Sequence, residues 1–395
     1  MVNYTIKSLS NISPKGLARL ENTTCSLVDS SKEPDGILIR SKVFDKNYLK
    51  DSLKAISRPG VGVNNIPIEL CTKKGIVVFN TPGANANAVK ELVLAGLMLS
   101  SRNVFSSIDF VKGLEHIEKM EELELFLEEN KKKFKGKELL GSTLGVVGLG
   151  SIGSYVAKMG VALEMKVIGY DPALSVEAAW RLPNQVEPVN TLEDLFEKAD
   201  FITLHIPANE STEGLINKDL LDHAKSLSLL NFARHEVIDS QAILDSLEEQ
   251  TLINFVTDFP TPELIKRANN YGDVILLPHL GASTTQAEEN CAIMAVDQIT
   301  DFLQSGNITN SVNFPNVHLD MSTDYRIAIT NKNVPAVIGK IASTLGQLGL
   351  NISDMTNVSK GEIAYNLIDI ENKVEDKAIR QLSLIPDIIN IRLID

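Results

Sequence analysis

Three ionisable side chains, of types that move protons and hold anions, lie in the second half of the chain. Arg234, Glu263 and His279 each stand just beyond an apolar run with the length and composition of a buried strand. Hydride transfer at carbon also moves a proton on oxygen, so it needs a general acid or base such as histidine. A carboxylate beside the histidine holds its tautomer, and an arginine binds a substrate carboxylate. The set indicates hydride transfer on a small 2-hydroxy acid, although a lone histidine or arginine at such a place is more often structural.

A glycine-rich turn supplies the second chemical signal. The run from Thr143 to Val147 leads into Gly148-Leu-Gly150-Ser-Ile-Gly153, and a helix is predicted from Ser154 to Glu164. Glycines at these places allow a tight turn and let a pyrophosphate approach backbone N–H groups at the helix start. Asp171 ends the next predicted strand, where a carboxylate accepts hydrogen bonds from ribose hydroxyls and repels a 2′-phosphate. The pattern favours NAD over NADP; the alternative is a glycine turn and a surface aspartate without a ligand.

Alternating strand and helix patterns must position these residues. Short apolar runs such as Gly36 to Arg40 and Gly75 to Phe79 alternate with helical patterns such as Ala86 to Ser101, and a second series of strands starts at Thr143. This alternation is typical of doubly wound parallel α/β sheets, in which ligands bind beyond the carboxyl ends of the strands. We therefore expect the ionisable residues to converge at one sheet edge.

The last part of the chain has a different pattern. After the polar stretch Ile308 to Asn316, read as a linker, the predicted order is strand, helix, strand, strand, helix, strand, which is that of an independent ferredoxin-like domain. The predicted elements are Tyr325 to Thr330, Pro335 to Leu348, Asn351 to Asn357, Ile363 to Ile370, Lys377 to Leu384 and Ile388 to Leu393. The predicted division is 1–93 with 286–315 for the substrate, 94–285 for the cofactor, and 322–395 for regulation.

Composition excludes several classes of protein. A net charge of -13 repels nucleic acid and anionic membrane surfaces. Cys25, Cys71 and Cys291 lack metal-ligand spacing and read as reduced thiols, so no metal is predicted. The N-terminus has no basic segment followed by an apolar one, which indicates a cytoplasmic protein. The segment from Glu115 to Lys137 reads as a solvated amphipathic helix, or alternatively as a basic run that steers an anion.

These residues resemble the D-isomer-specific 2-hydroxyacid dehydrogenases. The resemblance covers essentially the whole chain and rests on Arg58 to Ile66, Asn80 to Asn87, Gly148 to Gly153, Leu204 to Pro207, Asn231 to Asp239, Asp258 to Glu263 and Pro278-His279. It implies an α/β fold of two doubly wound domains, one flavodoxin-like and one Rossmann, followed by the ferredoxin-like domain. It also implies that Arg234, Glu263 and His279 are catalytic and that Asp258 holds the nicotinamide carboxamide of NAD. The further cofactor contacts that it implies are Thr81, Gly148, Gly150, Ser151, Ile152, Gly153, Asp171, Ile206, Pro207, Phe232, Ala233, Arg234, His279, Gly281 and Ala282.

The same resemblance concerns the substrate. It implies that backbone N–H groups of Val61 and Gly62, with Arg234, cradle the substrate carboxylate and that Arg58 holds an anionic group such as a phosphate. The expected reaction is NAD-dependent oxidation of 3-phosphoglycerate to 3-phosphohydroxypyruvate, at the start of serine synthesis, by a homodimer or homotetramer. The alternatives are a glyoxylate or hydroxypyruvate reductase, in which Arg58 is only a surface ion-pair residue, and a non-catalytic NAD-sensing interaction protein.

Two local departures from the family pattern affect the loops around these residues. His235 stands where the family usually has glycine after the catalytic arginine, and Phe259-Pro260 replaces the usual Val-Phe after the aspartate. These changes alter the expected loop shape more than the expected chemistry.

The final 70 or so residues resemble an ACT domain, a regulatory module. The resemblance rests on Asn331 to Pro335 and Gly349 to Ile352, and it implies an amino-acid effector bound between subunits. Its candidate contacts are Asn331, Asn333 and Asn351. Asn331 replaces a frequent histidine and Ala336 a usual glycine, so a dimerisation module without a ligand is the alternative.

Overall fold

The computed structural model describes residues 3–29, 31 and 33–395. The chain divides into two compact units, one made of Met1–Ala84 with Thr285–Asp395 and the other of Asn85–Thr284. Nowhere in the described ranges is a helix both long and apolar enough to cross a membrane.

The N-terminal segment forms a parallel sheet. Its strands are apolar on both faces: Gly36–Leu38 and Val77–Phe79 are buried along their whole length, as expected for strands covered by helices on each side. The described strands lie in the order β2-β1-β3-β4-β5, which is the flavodoxin-like order, as predicted. The elements are β1 (Tyr4–Ser8), α1 (Pro14–Leu17), β2 (Cys25–Leu27), β3 (Gly36–Leu38), β4 (Ala55–Ser57), α2 (Ile68–Lys73) and β5 (Val77–Phe79), with 3₁₀ turns at Ala18–Leu20 and Lys46–Tyr48.

The second unit contains a larger parallel sheet, in the order β12-β11-β10-β9-β6-β7-β8. This is the Rossmann arrangement, again as predicted. The elements are α3 (Ala86–Arg102), α4 (Val104–Lys112), α5 (Met120–Asn130), β6 (Thr143–Val147), α6 (Ser151–Ala162), β7 (Lys166–Tyr170), α7 (Val176–Ala179), β8 (Glu187–Pro188), α8 (Leu192–Lys198), β9 (Phe201–Leu204), α9 (Lys218–Leu221), β10 (Leu227–Asn231), α10 (Ser240–Glu248), β11 (Leu252–Thr257), α11 (Pro262–Tyr271) and β12 (Val274–Leu276), with 3₁₀ turns at Lys131–Phe134 and His235–Val237.

The C-terminal segment returns to the first unit through a long helix. The described strands after it form an antiparallel sheet in the order β14-β15-β13-β16, which is the ferredoxin-like order predicted from the sequence. The elements are α12 (Thr285–Ser305), β13 (Tyr325–Lys332), α13 (Val337–Gln347), β14 (Ile352–Lys360), β15 (Ile363–Ile370), α14 (Asp376–Ser383) and β16 (Ile388–Ile394).

The C-terminal domain is not independent of the N-terminal sheet, contrary to the prediction. One face of its sheet presents Tyr365 and Leu367 to a core that also contains Phe79, Phe302 and Phe314. The stretch predicted as a linker is itself packed, since Phe314 is fully buried and Ser311 bridges to Phe79. The polar composition of this segment suggested a flexible linker. The segment is instead packed against residues far away in the sequence, which composition does not reveal.

Two other predicted boundaries also move. The expected division after residue 93 falls inside α3, whose Val89, Val93 and Leu97 pack with the second sheet, so the whole helix belongs to the second unit. The amphipathic helix predicted over 115–137 is shorter, spanning Met120–Asn130. It is solvent-exposed along much of its length, in line with its many charges.

Candidate active site

The glycine turn joins β6 to α6 in a shape that side chains cannot adopt. Gly148 has φ 85°, and a Cβ there would lie 2.6 Å from the His205 carbonyl oxygen. A Cβ on Gly153 would lie 1.8 Å from the Gly148 carbonyl oxygen, whereas one on Gly150 would meet nothing within 4 Å. The turn is therefore tight on its inner side and open at Gly150, directly before the N-terminus of α6. Such an opening fits a pyrophosphate, because helix N–H groups and the helix dipole favour an anion there.

The carboxylate of Asp171 is attached to the same turn. It follows β7 and accepts hydrogen bonds from the Leu149 backbone N–H at 2.8 Å and the Ala173 N–H at 3.0 Å. Asp171 is only partly buried, and each carboxylate oxygen has lone pairs beyond those two bonds. The side chain is thus oriented beside the glycine turn and can still accept further hydrogen bonds.

His205 follows β9 at the same sheet edge but is a weak base at neutral pH. Burial of its ring lowers its pKa to about 3. Its Nε2 lies 3.0 Å from Thr203 Oγ1, and its buried Nδ1 has no hydrogen-bond partner in the described part of the chain. His205 therefore remains neutral, while the adjoining Ile206 is half-buried and Pro207 is exposed.

Arg234 follows β10 on a loop that a buried asparagine holds. Asn231 donates from Nδ2 to the Arg234 carbonyl at 2.8 Å and accepts from the Ala233 N–H at 3.1 Å. Phe232 and Ala233 are buried, and the half-buried Arg234 donates from Nη1 to the Ala233 carbonyl at 2.6 Å. Asn231 was not predicted as a site residue, although a polar residue at the end of an apolar strand was a visible signal.

Asp258 and His279 meet at the ends of β11 and β12. The Asp258 carbonyl accepts from the His279 N–H at 3.0 Å, and its Oδ2 accepts from the Gly281 N–H at 2.9 Å. Burial raises the pKa of the Asp258 carboxyl, and its Oδ1 is buried with no hydrogen-bond partner among the described residues. An unpartnered buried acceptor beside an exposed imidazole fits an amide donor such as a carboxamide. Ala282 follows Gly281 and is half-buried.

Glu263 does not meet His279 as the sequence suggested. It lies exposed in the first turn of α11, which begins at Pro262. In residues 3–29, 31 and 33–395, no hydrogen bond or ion pair joins Arg234, Glu263 and His279 to one another. The structure brings Asp258, rather than Glu263, into contact with the histidine loop.

The remaining predicted residues belong to the first unit. Arg58 follows β4 and donates from Nε to the Arg40 carbonyl at 3.0 Å. Gly60, with φ 135°, donates its N–H to Thr81 Oγ1 at 2.7 Å, and Thr81 is fully buried. This bond holds the turn that carries Val61 and Gly62, both half-buried.

The candidate effector residues do not lie together within one chain. Asn331 pairs with Ala364 on β15, whereas Asn351 directly precedes Ile352, which pairs with Ile370 at the other end of that strand. Six strand residues correspond to about 20 Å. The Asn331 amide is also used internally, accepting from Asn366 at 2.7 Å and donating to the Lys332 carbonyl at 2.6 Å. Asn333 is exposed and donates to the Gly361 carbonyl.

The comparisons with known proteins agree with this geometry. Residues 105–281 match the model of the D-isomer specific 2-hydroxyacid dehydrogenase, NAD binding domain. The chain is similar to D-3-phosphoglycerate dehydrogenase of Synechocystis sp., with 35% identity over 91% of this chain and 61% of that protein. It is also similar to hydroxypyruvate reductase of Thermotoga maritima, with 36% identity over 63% of this chain and 77% of that protein.

A solved structure shows the same similarity. NAD⁺-bound 3-phosphoglycerate dehydrogenase of Entamoeba histolytica superposes with a TM-score of 0.61 and 27% identity, covering 79% of this chain and 99% of that one. The chain spans 61% of the length of the Synechocystis relative, which is therefore the longer protein.

Proposed function

Because the chain belongs to the family of D-isomer specific 2-hydroxyacid dehydrogenases and carries its NAD-binding domain, we propose that it oxidises 3-phosphoglycerate to 3-phosphohydroxypyruvate with NAD. One observation carries the proposal. The glycine turn, Asp171, Arg234, Asp258 and His279 all follow the carboxyl ends of strands in one parallel sheet. Ligands of such sheets bind at that edge. The reaction would open serine synthesis.

The proposed roles follow from the contacts of each side chain. The open turn at Gly150 would receive the pyrophosphate, Asp171 the ribose hydroxyls, and the unpartnered Asp258 Oδ1 the carboxamide N–H. NAD, when bound, supplies the hydride acceptor. His279 takes the proton of the substrate hydroxyl on its imidazole, since the lowered pKa of the buried His205 makes that residue a weak base.

The remaining roles concern the substrate. Arg234 binds the substrate carboxylate and polarises the carbonyl in the reverse direction. Glu263 acts as the carboxylate partner of His279 in the substrate complex. Val61, Gly62 and Arg58 receive the carboxylate and the phosphate, and Arg58 makes this a phosphorylated-substrate site.

A hydroxypyruvate or glyoxylate reductase is the second candidate function. It is favoured by the Thermotoga maritima relative, which is named hydroxypyruvate reductase. The two candidates share every residue of the second sheet and differ in the need for a phosphate-binding cation.

The discriminating measurement is a set of initial rates with NADH against 3-phosphohydroxypyruvate, hydroxypyruvate, glyoxylate and 2-oxoglutarate. Arg58→Ala should lower kcat/KM for 3-phosphohydroxypyruvate by roughly tenfold to a hundredfold, because a charge-assisted hydrogen bond is lost. Hydroxypyruvate has no phosphate and should lose much less. Equal losses would indicate the unphosphorylated-substrate reductase, and no turnover of any 2-oxo acid would indicate a non-catalytic protein.

We also propose a homodimer or homotetramer. Helices α4 and α5 expose several large apolar side chains, and an exposed apolar patch is typical of an interaction surface. The exposed residues are Phe105, Ile108, Val111, Met120 and Leu125. The three cysteines are buried and unpaired, in keeping with a reducing compartment, and we assign the protein to the cytoplasm.

The proposed effector site needs two copies of the C-terminal domain. Asn331 and Asn351 stand at opposite ends of one sheet, so a shared site would combine ends from two subunits. Serine titrated calorimetrically into the full chain would release or take up heat at such a site. The domain is a dimerisation module without a ligand if no amino acid produces a heat signal.

A further inference from the structure

The imidazole of His279 is held differently from the loop that carries it. The loop backbone is fixed by two hydrogen bonds, from the His279 N–H and the Gly281 N–H to Asp258. Neither bond touches the ring. The His279 side chain is exposed, and it makes no hydrogen bond to any group in the part of the chain that the structure describes. Its orientation therefore depends on other contacts.

Phe259 provides such a contact. Its ring centroid lies 5.1 Å from that of His279 at an interplanar angle of 75°, an edge-to-face arrangement. This distance and angle lie in the range in which aromatic pairs attract each other beyond simple burial. Unlike the two backbone hydrogen bonds, this contact is made with the imidazole ring itself.

The backbone of Phe259 is restricted by its neighbours in the chain. It directly follows the buried Asp258, and its N–H donates to Thr257 Oγ1 at 3.2 Å. Pro260 follows it, and a residue before proline is restricted to extended backbone. On another side the His235 ring lies 6.3 Å away. Both His235 and Phe259 are positions at which the chain departs from the family pattern, and here the two departures contact each other.

We infer that Phe259 is a positioning residue that holds the His279 imidazole in the orientation needed for proton transfer. The inference rests on the proposed function of His279 as the acid and base. Before the substrate complex forms, an exposed histidine ring that makes no hydrogen bond samples several rotamers, and only some of them point toward a substrate oxygen. A ring wall reduces this freedom before the substrate arrives, so it acts on turnover rather than on binding.

The test is a double-mutant cycle in the full-length enzyme with NADH and 3-phosphohydroxypyruvate. Phe259→Leu removes the ring and keeps an apolar side chain. It should lower kcat about two- to tenfold, the value of an aromatic pair, and leave KM and the Kd for NADH within about twofold. In a His279→Gln background the same change should alter kcat less than about twofold, since the group being positioned is gone. Phe259→Tyr keeps the ring and should therefore leave kcat near the wild-type value.

A control variant separates positioning from general destabilisation. Phe255→Leu also removes a phenylalanine ring, but from inside β11, four residues before Phe259, where the side chain is fully buried. It should lower the melting temperature and leave kcat near the wild-type value.

The outcomes distinguish this inference from the function on which it rests. If His279→Gln keeps wild-type kcat, the proposed acid and base role fails. If His279→Gln greatly lowers kcat but Phe259→Leu lowers the remaining kcat by the same factor as in the wild-type background, or changes only KM, the positioning role alone is overturned. A kcat for Phe259→Tyr as low as that of Phe259→Leu would also overturn the positioning role.

Discussion

Asp258 combines a structural bond with an unsatisfied atom. Its Oδ2 fixes the loop after β12 through the Gly281 N–H, while Oδ1 is buried without a partner in the described residues. A buried charge with an unmade hydrogen bond costs stability. The proposed contact with the cofactor amide would complete the hydrogen bonding of this atom.

Replacing Asp258 by asparagine should therefore stabilise the ligand-free protein and weaken NADH binding. Burial raises the pKa of this carboxyl, so the folded chain binds the proton more tightly than the unfolded chain. The resulting loss of stability is absent below the ordinary carboxyl pKa and grows as pH rises through the raised one. At neutral pH, Asp258→Asn should raise the free energy of unfolding by roughly 1 kcal/mol. Thermal unfolding should then show a melting temperature about 2–4 °C higher than that of the wild type. The difference should vanish in acid, and an unchanged or lower melting point at neutral pH would contradict the argument.

Asp171 should set the choice between NAD and NADP. Its carboxylate would repel a 2′-phosphate. Asp171→Ala should therefore lower the ratio of kcat/KM with NADH to kcat/KM with NADPH about tenfold. Because Asp171 also accepts from the Leu149 N–H, loss of the side chain disturbs the glycine turn as well. Asp171→Asn is the matched control, since it keeps an acceptor and removes only the charge. A native enzyme that used NADPH as well as NADH would contradict the assignment.

At the scale of elements, the β6–α6 turn contains inner glycines that the fold requires and an outer glycine that leaves room for a ligand. Its inner glycines have no room for a side chain, while Gly150 faces open space just before the helix. The helix begins at Ser151, three residues earlier than periodicity predicted, because the glycine conformation allows the first turn to form at once. The predicted pyrophosphate site thus includes the first helical residues Ser151 and Ile152.

Two alanine substitutions should divide these properties. Gly153→Ala forces a Cβ onto the Gly148 carbonyl and should destabilise the fold by roughly 1–3 kcal/mol. Gly150→Ala should cost less than about 1 kcal/mol, as expected at a helix N-cap, yet raise the Kd for NADH about tenfold by filling the groove. Chemical denaturation and fluorescence titration of both variants measure the two effects. Equal destabilisation by both, or unchanged NADH binding by Gly150→Ala, would refute the division.

At the scale of the whole molecule, a buried ion pair joins two strands of the C-terminal sheet, and its arginine also bonds to the helix and the loop before that sheet. Arg326 and Asp369 are both fully buried, with Nε and Oδ1 2.6 Å apart. Arg326 also donates to the carbonyls of Ser305 and Leu319, so it ties β13 to the end of α12. Burial raises the pKa of the Asp369 carboxyl, but the hydrogen bonds from Arg326 and Ser322 outweigh this and hold the pKa below its ordinary value.

Arg326→Met should therefore destabilise the first unit by about 3–5 kcal/mol, because it leaves a buried carboxylate unpaired. The double variant Arg326→Met with Asp369→Leu should recover most of that loss. Arg19→Met, which breaks the exposed pair with Asp297, is the control and should barely move the unfolding midpoint. The stabilisation from Asp369 is present above the ordinary carboxyl pKa and is lost as pH falls through the lowered one. Urea unfolding at several pH values checks all three.

The sequence alone determined the fold class and predicted which residues gather at one sheet edge, because both depend on local patterns. Alternating apolar runs specify strands and helices, and glycine spacing specifies the turn that β6 and α6 form. Residues just after strands must converge, since parallel strands share one carboxyl edge. This is why Asp171, Arg234, Asp258 and His279 could be placed at one sheet edge from their positions in the chain.

Only the tertiary structure decided which side chains touch. It placed Asp258 against the backbone of the His279 loop and Phe259, rather than Glu263, against the His279 ring, and it joined the C-terminal sheet to the core around Phe314. Periodicity within a segment says which face is buried but not which distant segment buries it, since that choice depends on packing between residues far apart in sequence.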